Sequence, residues 1–510
     1  MKIKGLKKTA ASFLAVLLTA GAVIGTWPDC EVSAADDVIT LRVCSWEEYI
    51  DLGDWDEEET IDLESGDIIG VNPMVDDFEE WYYETYGKKV KVEYSTFGTN
   101  EDLYNMLTLG DVYDMVCPSE YMIMKLMAED WLVPLTEGFF DAADENNYYI
   151  NGVSPYIRNM FETHEIGGST WDKYAAGYMW GVTGFVYNPE VVSLEEASTW
   201  KLMENTKYRR QITIKDNVRD SFFAAVGALK SDLLTSEEFK TDPDYHQKLQ
   251  DEMNDVSDEM IAELQDYLQD IKDNLYSFET DSGKADMITG KVVANYQWSG
   301  DAVYTLDQAD EEDYTLNFAV PEESTDIYFD GWVLLKNGIN QDAAKAEERQ
   351  HAAEAFINFL SRPDNAIRNM YYIGYTSVIS GGDDPRIFEY ADWNFGAEED
   401  EEDVIDYDLS YFFLEEGEHS DDYVLSVTPD SVYRQLGAQY PSEEVIDRSS
   451  IMIYFDSEHN DAINQMWINI RCFNIGDVPA AVWVLLILAA VGTAAVCFMV
   501  KKRRERYLGA

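Results

Sequence analysis

One chemical theme recurs along the chain. An apolar run that reads as a strand ends in an aromatic ring beside a carboxylate or a hydroxyl. Residues 41–49 run Leu-Arg-Val-Cys-Ser-Trp-Glu-Glu-Tyr and deliver Trp46 and Tyr49. The run 113–116 leads into Pro118-Ser119-Glu120-Tyr121, and 212–214 leads into Lys215-Asp216-Asn-Val-Arg-Asp220. The run 292–296 ends in Gln297-Trp298-Ser-Gly-Asp301, and Tyr328-Phe-Asp330-Gly-Trp332 opens onto another apolar run. In open α/β sheets ligands bind beyond the carboxyl ends of the strands. Aromatic faces attract cations and cover methylene chains, and carboxylates pair with ammonium groups. A cleft built from Trp46, Tyr49, Ser119, Tyr121, Asp216, Asp220, Trp298, Tyr328 and Asp330 therefore suits an elongated, multiply charged amine. Its rings would sandwich the hydrocarbon, and an aspartate at each end would fix the ammonium spacing. A metal ion wants oxygens rather than rings and is served less well. The plainer readings are that Trp46 caps a core and that the polar residues at 216–217 cap the helix that follows.

The rest of the composition narrows the function. Lys plus Arg number 37 against 99 Asp plus Glu, a formal net charge of −62. Phosphate binding needs a basic surface, so nucleic acid is excluded as a partner. Cationic partners are favoured, although such acidity also simply keeps a surface solvated. The histidines (His164, His246, His351, His419, His459) are scattered, without metal-ligand spacing. No nucleophile elbow or phosphate-cradling glycine loop occurs. Paired carboxylates are too abundant to single out a glycosidase pair. The expectation is a binding protein without cofactor, metal or catalysed reaction.

The elements that position these residues follow from periodicity. Strand, helix, strand, helix, strand alternate between 39 and 117, with helices at 76–86 and 100–109, which argues for a parallel sheet covered by helices. The extended run 178–187, closed by Asn188-Pro189, reads as a crossover into a second domain. Helices are expected at 222–229, 258–275, 352–360 and 457–470. The helix after Pro363 breaks at Gly374. Two acidic stretches, after Tyr49 to about 72 and from 383, read as solvated loops. Cys44 and Cys117 both end apolar runs and can be neighbours on adjacent strands; whether they pair stays open, with buried free thiols the simpler expectation. Residues 1–34, lysine-rich and then apolar, have the layout of a secretory signal peptide. Residues 478–500 carry no charge and are long enough to span a bilayer, and the basic tail 501–510 that follows places the C-terminus in the cytoplasm and everything before it outside.

In this order the motifs resemble those of the polyamine-binding proteins of spermidine/putrescine ABC importers. The matching stretches are Ser45-Trp-Glu-Glu-Tyr49, Val116-Cys-Pro-Ser-Glu-Tyr121, Asp216-Asn-Val-Arg-Asp-Ser-Phe222, Tyr296-Gln-Trp-Ser-Gly300, Asp330-Gly-Trp332, Phe356-Ile-Asn-Phe-Leu-Ser-Arg-Pro363 and Ile373-Gly-Tyr-Thr-Ser377. The resemblance covers residues 38–380, with a weaker match to about 472. It implies a two-lobed α/β fold of the periplasmic-binding-protein type: lobe 1 from 38–180 and 330–382, lobe 2 from 181–329 and 383–472, the latter holding an acidic insert at 383–435. It carries the family's sites onto Trp46, Tyr49, Ser119, Tyr121, Asp220, Trp298, Asp330 and Tyr375. Tyr328 stands where the family often has tryptophan. Asn217 stands where some members have aspartate, with Asp216 beside it. The implied function is capture of putrescine or spermidine for an ABC permease by a receptor tethered to the cell membrane through its C-terminal helix. Two readings remain beside it: the same fold holding another cationic solute or an iron complex, and an acidic extracellular receptor or interaction module.

Overall fold

A computed structural model of the chain describes residues 38–55, 59–398 and 400–472. It opens with the alternation that the periodicity predicts: β1 (Ile39–Trp46), α1 (Met74–Tyr86), β2 (Val90–Phe97), α2 (Asn100–Leu109), β3 (Met115–Val116) and α3 (Glu120–Ala128). β1 pairs in parallel with both β2 and β3. α1 buries Phe78 and Tyr82 and stops at Gly87, whose φ of 67° is a left-handed cap that glycine adopts without cost. Cys44 and Cys117 lie on neighbouring strands as free, buried thiols.

The second half of the sheet comes from β4 (Ala175–Tyr187), β5 (Ile212–Lys215), α4 (Val218–Leu229), β6 (Ser277–Glu279), β7 (Ala294–Trp298), α5 (Ser299–Glu311) and β8 (Thr325–Leu335). The strand order is β2-β1-β3-β8-β4-β7-β5-β6. β4 and β8 are long and buried at every position; β4 reads as a near-continuous apolar run, whereas β8 carries the buried Asp326 and Asp330 within it. β4 changes partner along its length. Residues 175–182 pair antiparallel with β8, and 183–187 pair antiparallel with β7. The result is a two-lobed periplasmic-binding-protein-like α/β fold in which two long strands run through both halves. α6 (Ala346–Leu360) and α7 (Pro363–Ile373) follow, and α7 ends at Gly374, as expected.

These elements belong to one compact unit, lying within Met1–Asp255 and Asp273–Tyr454; a second lies within Val256–Lys272 and Phe455–Ala510. In the second, the helix Asp258–Ile271 buries Met260, Leu264, Leu268 and Ile271, and the helix Ser457–Arg471 buries Ile463, Met466 and Ile470. The two helices pack together, with a hydrogen bond of 2.7 Å from Asn469 to Gln265.

Both acidic stretches need correction. Asp51 is fully buried: its carboxylate takes Arg368 Nε at 2.9 Å and Nη2 at 2.7 Å, the Gly53 N–H at 2.8 Å and the Trp55 indole N–H at 3.2 Å. Arg368 also holds Asp77 at 2.7 Å and the Asn72 carbonyl at 2.8 Å, so one guanidinium pins both ends of the loop to α7. The region from 383 is folded too. The helix Arg386–Phe395 and the hairpin of Ile405–Asp408 with Val424–Val427 enclose buried Tyr390, Phe412 and Leu425. The Phe412 ring stacks on Trp180 of β4 with centroids 5.6 Å apart. The described residues of 398–403 are exposed, as expected. Charge counting missed the apolar residues interleaved with the acids, and those residues decide burial. The expected leader 1–34, membrane segment 478–500 and tail 501–510 lie outside the described residues. Among the described residues no helix is long and apolar enough to cross a membrane.

Candidate functional site

Every expected ligand-facing segment except Tyr375 and the pair Tyr328 and Asp330 lies at or just beyond the carboxyl end of a parallel strand. Trp46 ends β1, Ser119 follows β3, Lys215 ends β5 and Trp298 ends β7. Tyr328 and Asp330 lie inside β8. A register shift between Asp330 and Gly331 interrupts the ladder with β4 there, and such a bulge re-aims the side chain beside it.

Asp330 is the centre of one cluster. It is 4% exposed. Tyr49 donates its hydroxyl to Oδ2 at 2.5 Å, and Ser119 donates to Oδ1 at 2.7 Å. Ser119 sits at the N-cap of α3 without making a capping bond there; Asn100 holds it from behind at 3.1 Å. Tyr375 packs edge-on to Tyr49 with centroids 4.9 Å apart and lies 6.3 Å from Tyr328. Two close approaches depend on glycine. A Cβ on Gly300 would fall 2.1 Å from the Tyr375 ring, and one on Gly181 would fall 2.4 Å from the Tyr328 hydroxyl. Burial pushes the Asp330 carboxyl up to about 6, against the two hydroxyl hydrogen bonds. Burial, and after it the Asp330 charge, hold the Tyr49 phenol well above its ordinary value, so Tyr49 stays a donor.

A second cluster surrounds Trp298, whose ring centroid is 6.4 Å from that of Trp46. Its indole N–H donates to Asp220 at 3.1 Å. Burial raises the Asp220 carboxyl to about 6, opposed by the charge of Lys215 and by the Trp298 bond. Lys215, 1% exposed, places its ammonium 3.5 Å from the Trp298 ring centroid and 3.4 Å from Asp301 Oδ2. Asp301 also takes Lys284 at 3.2 Å and the Tyr375 hydroxyl at 3.3 Å, which joins the two clusters. Burial favours the neutral Asp301 carboxyl, but the Lys284 and Lys215 charges outweigh it and hold the group below its ordinary value.

The remaining expected residues have other partners. Tyr121 is buried, donates to Glu101 at 3.2 Å and has the Arg219 guanidinium 4.4 Å over its ring. Asn217 is the N-cap of α4 and accepts from the backbone N–H groups of Arg219 at 2.8 Å and Asp220 at 3.4 Å; its oxygen does the capping that the plainer reading assigned to this position. Asp216 is half-buried, and its N–H bonds the Glu279 carbonyl at 2.8 Å. Sequence reasoning weighed the acids and rings and passed over the cations Lys215, Arg219 and Lys284 and the carboxylates Asp301 and Glu101. Lys215 closes the apolar run 212–214 and so stands at the strand end, but nothing in the sequence says that it turns inward.

The two raised carboxyls make a pH prediction. An aspartate pairs with an ammonium only when ionised, so amine affinity is expected to fall about tenfold per pH unit below about pH 6, as Asp330 protonates. For the protein without amine the sign reverses. Asp330 and Asp220 hold protons better when folded, so their contribution to stability is complete below the unfolded value near 3.8 and is lost as pH rises through about 6. Amine titrations and thermal unfolding from about pH 4 to about pH 8 check both halves.

Fold and site together define a two-lobed receptor with aromatic and acidic side chains gathered where its strands end. A profile of the bacterial extracellular solute-binding proteins matches residues 73–392, more than half of the chain, and the chain belongs to that family. Proteins of this class capture solutes for transport and catalyse no reaction. The chain is 23% identical over 344 residues to the spermidine/putrescine-binding periplasmic protein of Escherichia coli strain K12, covering 67% of this chain and 78% of the relative. It is 25% identical over 284 residues to the putrescine-binding periplasmic protein PotF of the same organism, covering 54% and 67% respectively. The crystal structure of PotD, a spermidine/putrescine ABC transporter substrate-binding protein of Streptococcus pneumoniae, aligns with a TM-score of 0.52 at 22% identity, covering 85% of this chain and 100% of that one; that likeness shows the fold.

Proposed function

We propose that the protein captures a polyamine of the putrescine/spermidine class outside the cytoplasm and presents it to an ABC permease. The observation that carries this reading is Asp330: a buried carboxylate at the centre of Tyr49, Ser119, Tyr328 and Tyr375 whose hydrogen-bond donors are two neutral hydroxyls. Burying a carboxylate without a cation is costly, and a ligand ammonium offsets that cost while the rings cover its methylenes. Trp46, Tyr49, Ser119, Tyr328, Asp330 and Tyr375 are the ligand contacts in this reading. Tyr121, Asp216, Asn217, Asp220 and Trp298 belong to the wall behind and beside them.

The lobe boundaries are read at 180/181 and 329/330, inside the two long strands. The change of partner along β4 and the register shift at Asp330 support that placement. Ligand touching both lobes would favour the closed arrangement by its differential affinity for it. Residues 478–500 are read as the membrane anchor that keeps the receptor beside its permease, with 1–34 as the leader and 501–510 in the cytoplasm; the uncharged run and the basic tail support this.

Calorimetric titration of the full-length chain with putrescine and with spermidine, at low and at physiological salt, tests the reading. Saturable one-to-one binding that survives salt is the expected result. Weak binding at many sites that disappears with salt would reduce the interaction to attraction by the acidic surface.

A further inference from the structure

The cleft carries its own ammonium group. Three of its features are what an aliphatic ammonium ligand would seek: the face of Trp298, the carboxylate of Asp301 and the Thr280 carbonyl. The Lys215 ammonium already has all three, at 3.5 Å from the ring centroid, 3.4 Å from Asp301 Oδ2 and 3.4 Å from the carbonyl oxygen. Lys215 also faces Asp220 electrostatically. Asp301 is further balanced by Lys284. A second ring expected to meet ligand, Tyr121, is covered by Arg219. The carboxylates of this cluster are therefore countered by the chain's own cations. Asp330, in the neighbouring cluster, is held by hydroxyl groups.

We infer that Lys215 occupies one ammonium position of the cleft and so sets the charge of the ligand, selecting a short diamine of the putrescine class over a triamine of the spermidine class. This rests on the amine-binding reading above. A triamine would have to place a further ammonium beside Lys215 and Lys284, where like charges repel in a buried setting. A diamine can use Asp330 and the surrounding tyrosines without displacing either lysine. Specificity of this kind comes from a repulsive element rather than an added contact.

The test is calorimetric titration of the full-length chain with putrescine and with spermidine, for the wild type and for Lys215→Met, which keeps the stem and removes the charge. The wild type is expected to bind putrescine about tenfold or more tightly than spermidine. Lys215→Met is expected to gain about tenfold for spermidine, shrinking or reversing the ratio. A lysine that only holds Asp301 in place would weaken both amines alike when replaced, and that result overturns the inference. So does a wild type that prefers spermidine, which decides the matter even if the variant does not fold. A wild type that binds neither amine is a different failure: it removes the amine reading itself, and this inference with it.

Discussion

Asp330→Asn is expected to weaken putrescine binding about a hundredfold or more, with the unfolding midpoint of the amine-free protein unchanged or raised. The asparagine keeps the shape and a carbonyl oxygen that accepts from Tyr49 or Ser119, so the local hydrogen bonding survives in part. What disappears is the charge. Removing one partner of a buried, hydrogen-bonded charge pair costs about 2–5 kcal/mol of binding, and each 1.4 kcal/mol or so is a factor of ten. In the unliganded protein the same change removes a buried carboxylate that only hydroxyls support, which is a cost to folding rather than a gain. The two readouts moving in opposite directions separate a binding role from a structural one. Titration calorimetry gives the first and thermal unfolding the second. A variant that loses stability and keeps its amine affinity would place Asp330 in the scaffold and the ligand elsewhere.

Arg368→Met is expected to have the largest effect on stability of any single change considered, about 3–5 kcal/mol at neutral pH. Arg368 is buried and holds Asp51, Asp77 and the Asn72 carbonyl at once. Methionine preserves most of the stem volume but leaves Asp51, 0% exposed, without its counter-charge. Burial already holds the Asp51 carboxyl above its ordinary value despite Arg368. Without the guanidinium it rises further, so the folded variant binds a proton that the unfolded chain does not. The sign follows: the destabilisation grows as pH rises and shrinks in mild acid, where Asp51 protonates. Urea unfolding of both proteins at about pH 5 and about pH 8 measures it. An equal loss at both values would mean that packing, not charge, is what Arg368 supplies. Asp51 follows Tyr49 by two residues, so a smaller loss of amine affinity is expected alongside.

The theme that opened the reading was legible because it is local. A strand that ends in Trp46 or Trp298 delivers its last side chain to the carboxyl edge of the sheet whatever the rest of the chain does, and the βαβ alternation puts those edges together. The same locality made Gly374 readable as a helix end and Asn217 as a cap. The buried run of β4 and the apolar end of β8 were likewise visible as apolar stretches.

What the tertiary structure alone decided is who stands opposite whom. Tyr49 and Asp330 are 281 positions apart, and Asp51 and Arg368 are 317; no periodicity links such pairs. An acidic run looks the same in sequence whether its carboxylates meet water or a guanidinium, so the loop pinned by Arg368 and the folded region after 383 both passed for solvated surface. For the same reason the contacts of Lys215 and Lys284 with Asp301, and of Arg219 with the Tyr121 ring, could not be read from the sequence. A cation's role depends on the ring and the carboxylate that the fold brings within about 4 Å of it, where Coulomb and cation–π terms become large. The residue types at the strand ends were therefore legible in the sequence, whereas which of those residues already have partners within the chain was decided by the fold.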